Sequence, residues 1–239
     1  MLAFSPNKDG VQDTIVFSPK LKSNTAAASY TFRIYDTTGA AVKTLAGNGV
    51  PPASISWDGI ADTGDTKGRL CADGSYSAAI DVTLTNGQTA KSTLPEIMLD
   101  TKYPEVEISA PYLVFSTDST AKRPNLPVTQ RASVENLWTG SITGSGNREM
   151  RNFAWEGQAT DFVWDGTDTS GNKVPDGTYR YTIFAQDLAG NRTIKFLDNI
   201  VIDSRVPKAY ITAELPAFSP NGDGIKDTQT LTVHTTLKD

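Results

Sequence analysis

Eleven residues recur nearly unchanged towards the two ends of this chain: residues 4–14 read FSPNKDGVQDT and residues 218–228 read FSPNGDGIKDT, identical at eight positions. A repeat of that fidelity restricts the fold to an array of similar units, because each copy must meet similar surroundings. A second phrase fixes the number of units. Trp57-Asp58-Gly59 returns as Trp164-Asp165-Gly166 after 107 residues, half of the 214 that separate Phe4 from Phe218. The 239 residues therefore hold two modules and the opening of a third, with expected borders at 1–102, 103–206 and 207–239. A module of roughly 100 residues is long enough to bury its own core.

Past the Trp-Asp-Gly phrase the offset falls from 107 to 103, where Asp73-Gly74-Ser75-Tyr76 aligns with Asp176-Gly177-Thr178-Tyr179 and Leu99-Asp100-Thr101-Lys102-Tyr103-Pro104 with Ile202-Asp203-Ser204-Arg205-Val206-Pro207. One module thus carries four extra residues, placed most simply at 64–70. A loop absorbs such a difference at about 0.6 kcal/mol per doubling of its length. The same alignment sets the lone cysteine, Cys71, opposite Val174, which excludes a disulfide scaffold and reads as a small buried side chain.

The periodicity is that of strands. Tyr76, Ala78, Ile80, Val82 and Leu84 alternate with small or polar residues, as do Tyr179, Tyr181, Ile183 and Ala185, and Tyr30, Phe32 and Ile34. A period of two turns one side to a core and the other to water. Asn86-Gly87 between β-prone runs marks a hairpin, and Asp187-Leu188-Ala189-Gly190-Asn191 stands at the matching place in the second module. No window has capped helical spacing, so little or no α-helix is expected. The expected class is all-β, tandem immunoglobulin-like β-sandwiches, without the Cys-Trp-Cys pattern of antibody domains. The junctions fall at 100–104 and 203–207, each followed by a new first strand, at 105–109 and 208–212. On that division the first module lacks its opening strand, and residues 207–239 supply one or two strands that either dock on a neighbour or fray.

The segment 29–81, with Phe32-Arg33-Ile34-Tyr35-Asp36-Thr37-Thr38-Gly39, Val42-Lys43-Thr44-Leu45, Trp57-Asp58-Gly59 and Asp73-Gly74-Ser75-Tyr76, resembles the Ig-like domain of flagellar hook-capping proteins, the FlgD-type Ig-like family. The second module keeps the later half of the pattern, as Trp164-Asp165-Gly166-Thr167-Asp168-Thr169-Ser170-Gly171-Asn172 followed by Pro175-Asp176-Gly177-Thr178-Tyr179. FSPNGDGIKDT is also similar to the opening of the C-terminal sandwich modules of gliding-motility and type IX sorting proteins. The resemblance implies an extracytoplasmic, non-catalytic bacterial array of spacers, stalks or adhesive units.

The repeated phrase carries the strongest chemical signal. Set against the calcium loop D-x-[DN]-x-[DN]-G, Asn7 or Asn221 takes the third position, Asp9 or Asp223 the fifth, the Val11 or Ile225 carbonyl the seventh and Asp13 or Asp227 the ninth. Ser5 or Ser219 stands first and no bidentate glutamate follows, so the segment is half of a Ca2+ loop. The same residues also suit an Asx-type turn closed on its own amides. In the second module Phe115-Ser116-Thr117-Asp118-Ser119-Thr120 has lost the pattern.

Other chemistries find little support. A net charge of −5 with dispersed Lys and Arg gives no stripe for nucleic acid, and no apolar run reaches the ~20 residues of a membrane span. No signal peptide precedes Phe4, so the chain reads as part of a longer protein. One histidine, His234, cannot build a Ser-His-Asp triad or a histidine metal site within the chain. Trp57 and Trp164 suit core closure better than a sugar platform. The expected function is that of a non-enzymatic spacer whose partners are neighbouring Ig-like modules. The alternatives are an adhesin binding protein or glycan at its loop tips, and an appendage assembly factor.

Overall fold

The computed structural model describes residues 2–206 and 208–235; Pro207, placed at the second junction by the sequence, and residues 236–239 lie outside the described residues. The first unit contains β1 (Leu2–Phe4), β2 (Ile15–Phe17), β3 (Ala27–Tyr35), β4 (Ala41–Asn48), β5 (Ile55–Trp57), β6 (Gly74–Leu84) and β7 (Thr89–Leu99). The second contains β8 (Val106–Ser109), β9 (Val114–Phe115), β10 (Leu126–Ala132), β11 (Glu135–Thr143), β12 (Glu149–Gly157), β13 (Phe162–Trp164), β14 (Gly177–Gln186) and β15 (Arg192–Ile202). A final hairpin pairs β16 (Ala209–Ala213) with β17 (Leu231–Thr235). A single 3-10 turn, Ser145–Asn147, is the helical content of the described residues.

Each unit is an immunoglobulin-like sandwich with the same strand order. The large sheets run β1-β7-β6-β3-β4 and β9-β15-β14-β11-β12, and the small ones β2-β5 and β8-β10-β13. Among the described residues no strand lies beside β2 where β8 lies beside β10. β1 and β9 both join their sheets in parallel, with Phe4 opposite Leu99 and Phe115 opposite Ile202. Two separate apolar clusters follow, one drawn from Phe4 to Leu99 and the other from Val106 to Ile202.

Equivalent residues make equivalent cores. Trp57 meets Tyr76 edge-on with centroids 5.1 Å apart, and Trp164 meets Tyr179 at 5.2 Å. Each buried indole needs an acceptor for its N–H, and Nε1 donates to the Ile60 carbonyl in one unit and to that of Thr167 in the other. Both tyrosine hydroxyls close a corner, on the Ala72 and Pro175 carbonyls. Cys71 and Val174 are both buried, and burial pushes the Cys71 thiol up. The four-residue insertion falls where expected: bridges Ile60 to Leu70 and Thr167 to Lys173 enclose loops of unequal length.

The sheet edge at 209–235 has no such core. Both of its strands are largely exposed, including Tyr210, Ile211, Leu231 and Val233, and no residue of the hairpin enters either cluster. The hairpin holds itself through its ladder, with His234 stacked on Tyr210 at 4.7 Å and bonded to Thr212.

Candidate inter-module latch

One backbone shape occurs three times, twice directly after a β1-type strand. The Ser5 amide donates to the Gln12 carbonyl at 2.9 Å, Ser116 to Arg123 at 2.9 Å and Ser219 to Lys226 at 2.9 Å. Strand pairing explains the common origin, since Phe4 and Phe115 end β1 and β9 and are buried, at 1% and 2% exposure, against Trp57 and Trp164. Phe218 holds the third place and is 51% exposed.

Within the first loop, the residues singled out as calcium ligands bind the loop itself. The Asn7 Oδ1 accepts from the Asp9 amide at 3.0 Å and Asp9 Oδ1 from the Val11 amide at 2.8 Å. Asp13 accepts from two amides, Oδ1 from Lys8 at 2.5 Å and Oδ2 from Gly10 at 2.8 Å. Two N–H groups that converge on one carboxylate form a nest that favours negative charge at its centre. The copy repeats this: Asp227 accepts from Gly222 at 2.9 Å and Gly224 at 2.7 Å, Asn221 from Asp223 at 3.3 Å, and Asp223 from Ile225 at 2.8 Å. The Asn221 side chain also holds the Asp223 carboxyl below its ordinary value. Among the described residues no three acidic, histidine or cysteine side chains converge as a metal cluster would require. The Ser5 hydroxyl, at the first position of the motif, is buried and has no hydrogen-bond partner.

The outer face of the first loop meets the second unit. Asn7 Nδ2 donates to Asn191 Oδ1 at 3.1 Å and to the Tyr103 hydroxyl at 3.0 Å. Gln12 Nε2 reaches the Leu188 carbonyl at 3.0 Å and the Ala3 carbonyl at 2.9 Å. Asn191 returns a bond through Nδ2 to the Asp100 carbonyl at 2.9 Å, while Asp187 holds it by its amide at 2.9 Å and its Nδ2 at 2.7 Å. The side chain of Asn191, 0% exposed, thus has its polar atoms satisfied by the first unit, the junction and its own turn. Gly190 lies at φ +96°, and a Cβ there would sit 2.9 Å from Val11 Cγ1. Both constraints require glycine.

The matching hairpin turn of the first unit supplies a control. Residues 84–88 make the same backbone bonds, Leu84 to Gln88 and Gly87 to Leu84, as 187–191 make from Asp187 to Asn191 and from Gly190 to Asp187. Yet residues 85–88 are exposed, whereas Ala189, Gly190 and Asn191 are buried. The difference is the docked loop. The sequence marked both partners, one as half a calcium loop or an Asx-type turn and the other as a hairpin turn, without the pairing; the asparagine that ends the Asp-x-x-Gly-Asn turn was the available signal.

The junctions themselves are held by carboxylates. Asp73 accepts from the Thr101 amide at 3.0 Å, and Asp176 from the Ser204 amide at 3.0 Å. Bonds from Arg205 hold the Asp203 carboxyl down at about 2.

Residues 122–188 match the family described as the FlgD Ig-like domain. This interval lies in the second unit, from the loop after β9 to the β14–β15 turn. No curated protein matches the chain. Similar solved structures include fibronectin(III)-like modules of Clostridium thermocellum CbhA, 13% identical over 86% of this chain and 91% of that one, with a TM-score of 0.43. Another is a tetra-tandem repeat from the extending region of a large adhesion protein, 16% identical over 93% of this chain and 62% of that one, TM-score 0.34. A third is a 1.5-MDa bacterial ice-binding adhesin, 17% identical over 89% of this chain and 64% of that one, TM-score 0.39. The chain spans less than two thirds of the last two. No helix among the described residues is long and apolar enough to cross a membrane.

Proposed function

We propose that this chain is a stalk segment of a bacterial extracytoplasmic repeat protein, a non-catalytic spacer in which residues 1–102 and 103–206 act as modules and 207–239 open a third. The observation that carries the reading is the burial of Ala189, Gly190 and Asn191 in the 187–191 turn, where the equivalent residues 86–88 of the first unit are exposed. Burial of a polar turn is costly unless every group finds a partner, and the partners come from the neighbouring module: Asn7, Gln12 and the Asp100 carbonyl. A linker alone leaves domains free to reorient. The latch removes that freedom, so a rod transmits position and force from one end to the other. The match of residues 122–188 to the FlgD Ig-like domain supports the modular, non-enzymatic part of the reading.

Trp57 and Trp164 lie in the cores, which leaves them no role as a sugar platform and favours the spacer over a glycan-binding use of those residues. In this reading Asn7, Asp9, Asp13 and their counterparts Asn221, Asp223 and Asp227 serve loop amides, and the Val11 and Ile225 carbonyls need no Ca2+.

The test is 15N relaxation on the full chain. Core amides of both modules should report one rotational diffusion tensor, and Asn7→Ala with Gln12→Ala should separate them into two; equal tumbling in both proteins would remove the latch. Melting with and without chelator addresses calcium, and a midpoint that falls on chelation would reinstate the ion.

A further inference from the structure

We propose that loop 218–228 is a socket for a hairpin turn of the Asp-x-x-Gly-Asn kind presented by another Ig-like module. This rests on the latch reading of loop 4–14 and extends it to the second copy of the phrase.

The occupied example defines what a socket needs: a side-chain amide that donates to the asparagine, an aliphatic wall against the glycine, and a long donor for the carbonyl after the aspartate. Asn7, Val11 and Gln12 supply these in loop 4–14. Asn221, Ile225 and Lys226 stand at the same places. The inner frame is also the same, since Asp227 accepts from Gly222 and Gly224 as Asp13 does from Lys8 and Gly10. Gln12 and Lys226 even share the left-handed backbone, at φ +50° and +55°. What differs is seating and occupancy: Phe218 is 51% exposed where Phe4 is buried, and Ile225 is 68% exposed.

The loop between them marks the limits of the code. Loop 116–123 keeps the closing bond from Ser116 to Arg123, but Asp118 replaces the amide donor and spends Oδ1 on Thr120. Lys122 replaces the aliphatic wall, and Arg123 lies over the Tyr112 ring at 4.6 Å. Its neighbour Thr117 bonds to Ser204 within the same unit. Sockets therefore alternate along the array, which gives a physical reason why the phrase recurs after 214 residues and not after half that distance.

The occupant is equally constrained. Glycine must come fourth, because of its positive φ and its contact with Val11, asparagine fifth, because it accepts from Asn7, and aspartate first, because it orients that asparagine.

The experiment is an NMR titration of the labelled full chain with a disulfide-closed hairpin peptide copying residues 184–194. The amides of Gly222, Gly224 and Ile225 should shift and saturate with a dissociation constant on the order of 1 mM, as expected of a small untethered contact. Gly10 should stay still, its socket being filled in cis. Asn221→Ala in the chain, or Gly190→Ala in the peptide, should weaken binding at least tenfold. A chain carrying Gly190→Ala, which shuts its own turn out of loop 4–14, is the positive control, and there the peptide should move Gly10. Peptide that moves Gly10 in that control but not Gly222, Gly224 and Ile225 overturns the socket alone. Shifts indifferent to both substitutions overturn it as well, and peptide that moves neither loop counts against the socket and the latch together.

Discussion

Replacing Gly190 by alanine tests the latch against a built-in control, because Gly87 occupies the same position in the equivalent turn of the first module. Both glycines are left-handed, at φ +96° and +83°. Alanine in that region costs roughly 1–2 kcal/mol at either site. Only at Gly190 does the new methyl meet another module: Val11 Cγ1 at 2.9 Å and Gln12 Oε1 at 3.0 Å, whereas nothing lies within 4 Å at Gly87. Overpacking of this kind adds about 1–3 kcal/mol, so Gly190→Ala should cost about 2–5 kcal/mol and Gly87→Ala about 1–2 kcal/mol. Urea unfolding of the full chain, followed by tryptophan fluorescence, measures both. Val11→Ala should recover part of the Gly190→Ala loss and none of the Gly87→Ala loss, since it removes the clashing methyl. Equal costs at the two glycines, or additive behaviour of Val11→Ala with Gly190→Ala, would refute the claim that the turn is held from outside its own module.

Ser5→Ala should leave stability unchanged or raise it by up to about 1 kcal/mol, since an unpartnered buried hydroxyl is a net cost; a loss in thermal denaturation would mean that the oxygen serves an ion or water. Gln130→Ala should destabilise the second module by about 2–3 kcal/mol, because the buried Tyr181 hydroxyl donates to Gln130 Oε1 at 2.5 Å and loses its acceptor; calorimetry resolves this from the first module, where Ala78 stands in place of Tyr181. Asp203, held at about 2 by Arg205, has a folded value below its ordinary 3.8. Its contribution is therefore complete above about pH 4 and is lost as pH falls towards 2. Arg205→Gln should flatten that part of the acid stability profile, and an unchanged slope would discount the pair.

The fold was legible because each unit states its core twice. Trp57 and Trp164, Tyr76 and Tyr179, Cys71 and Val174 share surroundings, so an offset in the text became an offset in space, and its change from 107 to 103 located an inserted loop. Strands β11 and β12 were harder to see. Their sequence is polar on alternate positions but broken by bulges at Glu135/Trp138 and Ile142/Thr143, which disturb the period that identifies a strand. The candidate site was half legible. Periodicity and spacing describe what one segment does to itself, and they singled out the Asn and Asp residues of loop 4–14 as candidate ligands or turn-formers. Contacts between residues 184 positions apart, such as Asn7 with Asn191, leave no local period. The 84–88 and 187–191 turns share only their glycine, Leu-Thr-Asn-Gly-Gln against Asp-Leu-Ala-Gly-Asn, and only the docked loop shows that the Asp187 and Asn191 ends carry the difference in burial.

Pulsed electron-spin distance measurement between the two modules tests the central claim most directly. Spin labels at Lys91→Cys and Glu149→Cys, with the buried Cys71 changed to the valine that its counterpart carries, would place one probe on an exposed site of each unit. A single narrow distance distribution, broadened by Asn7→Ala with Gln12→Ala, is the predicted result. A distribution as broad in the unaltered latch as in the disrupted one would contradict the account.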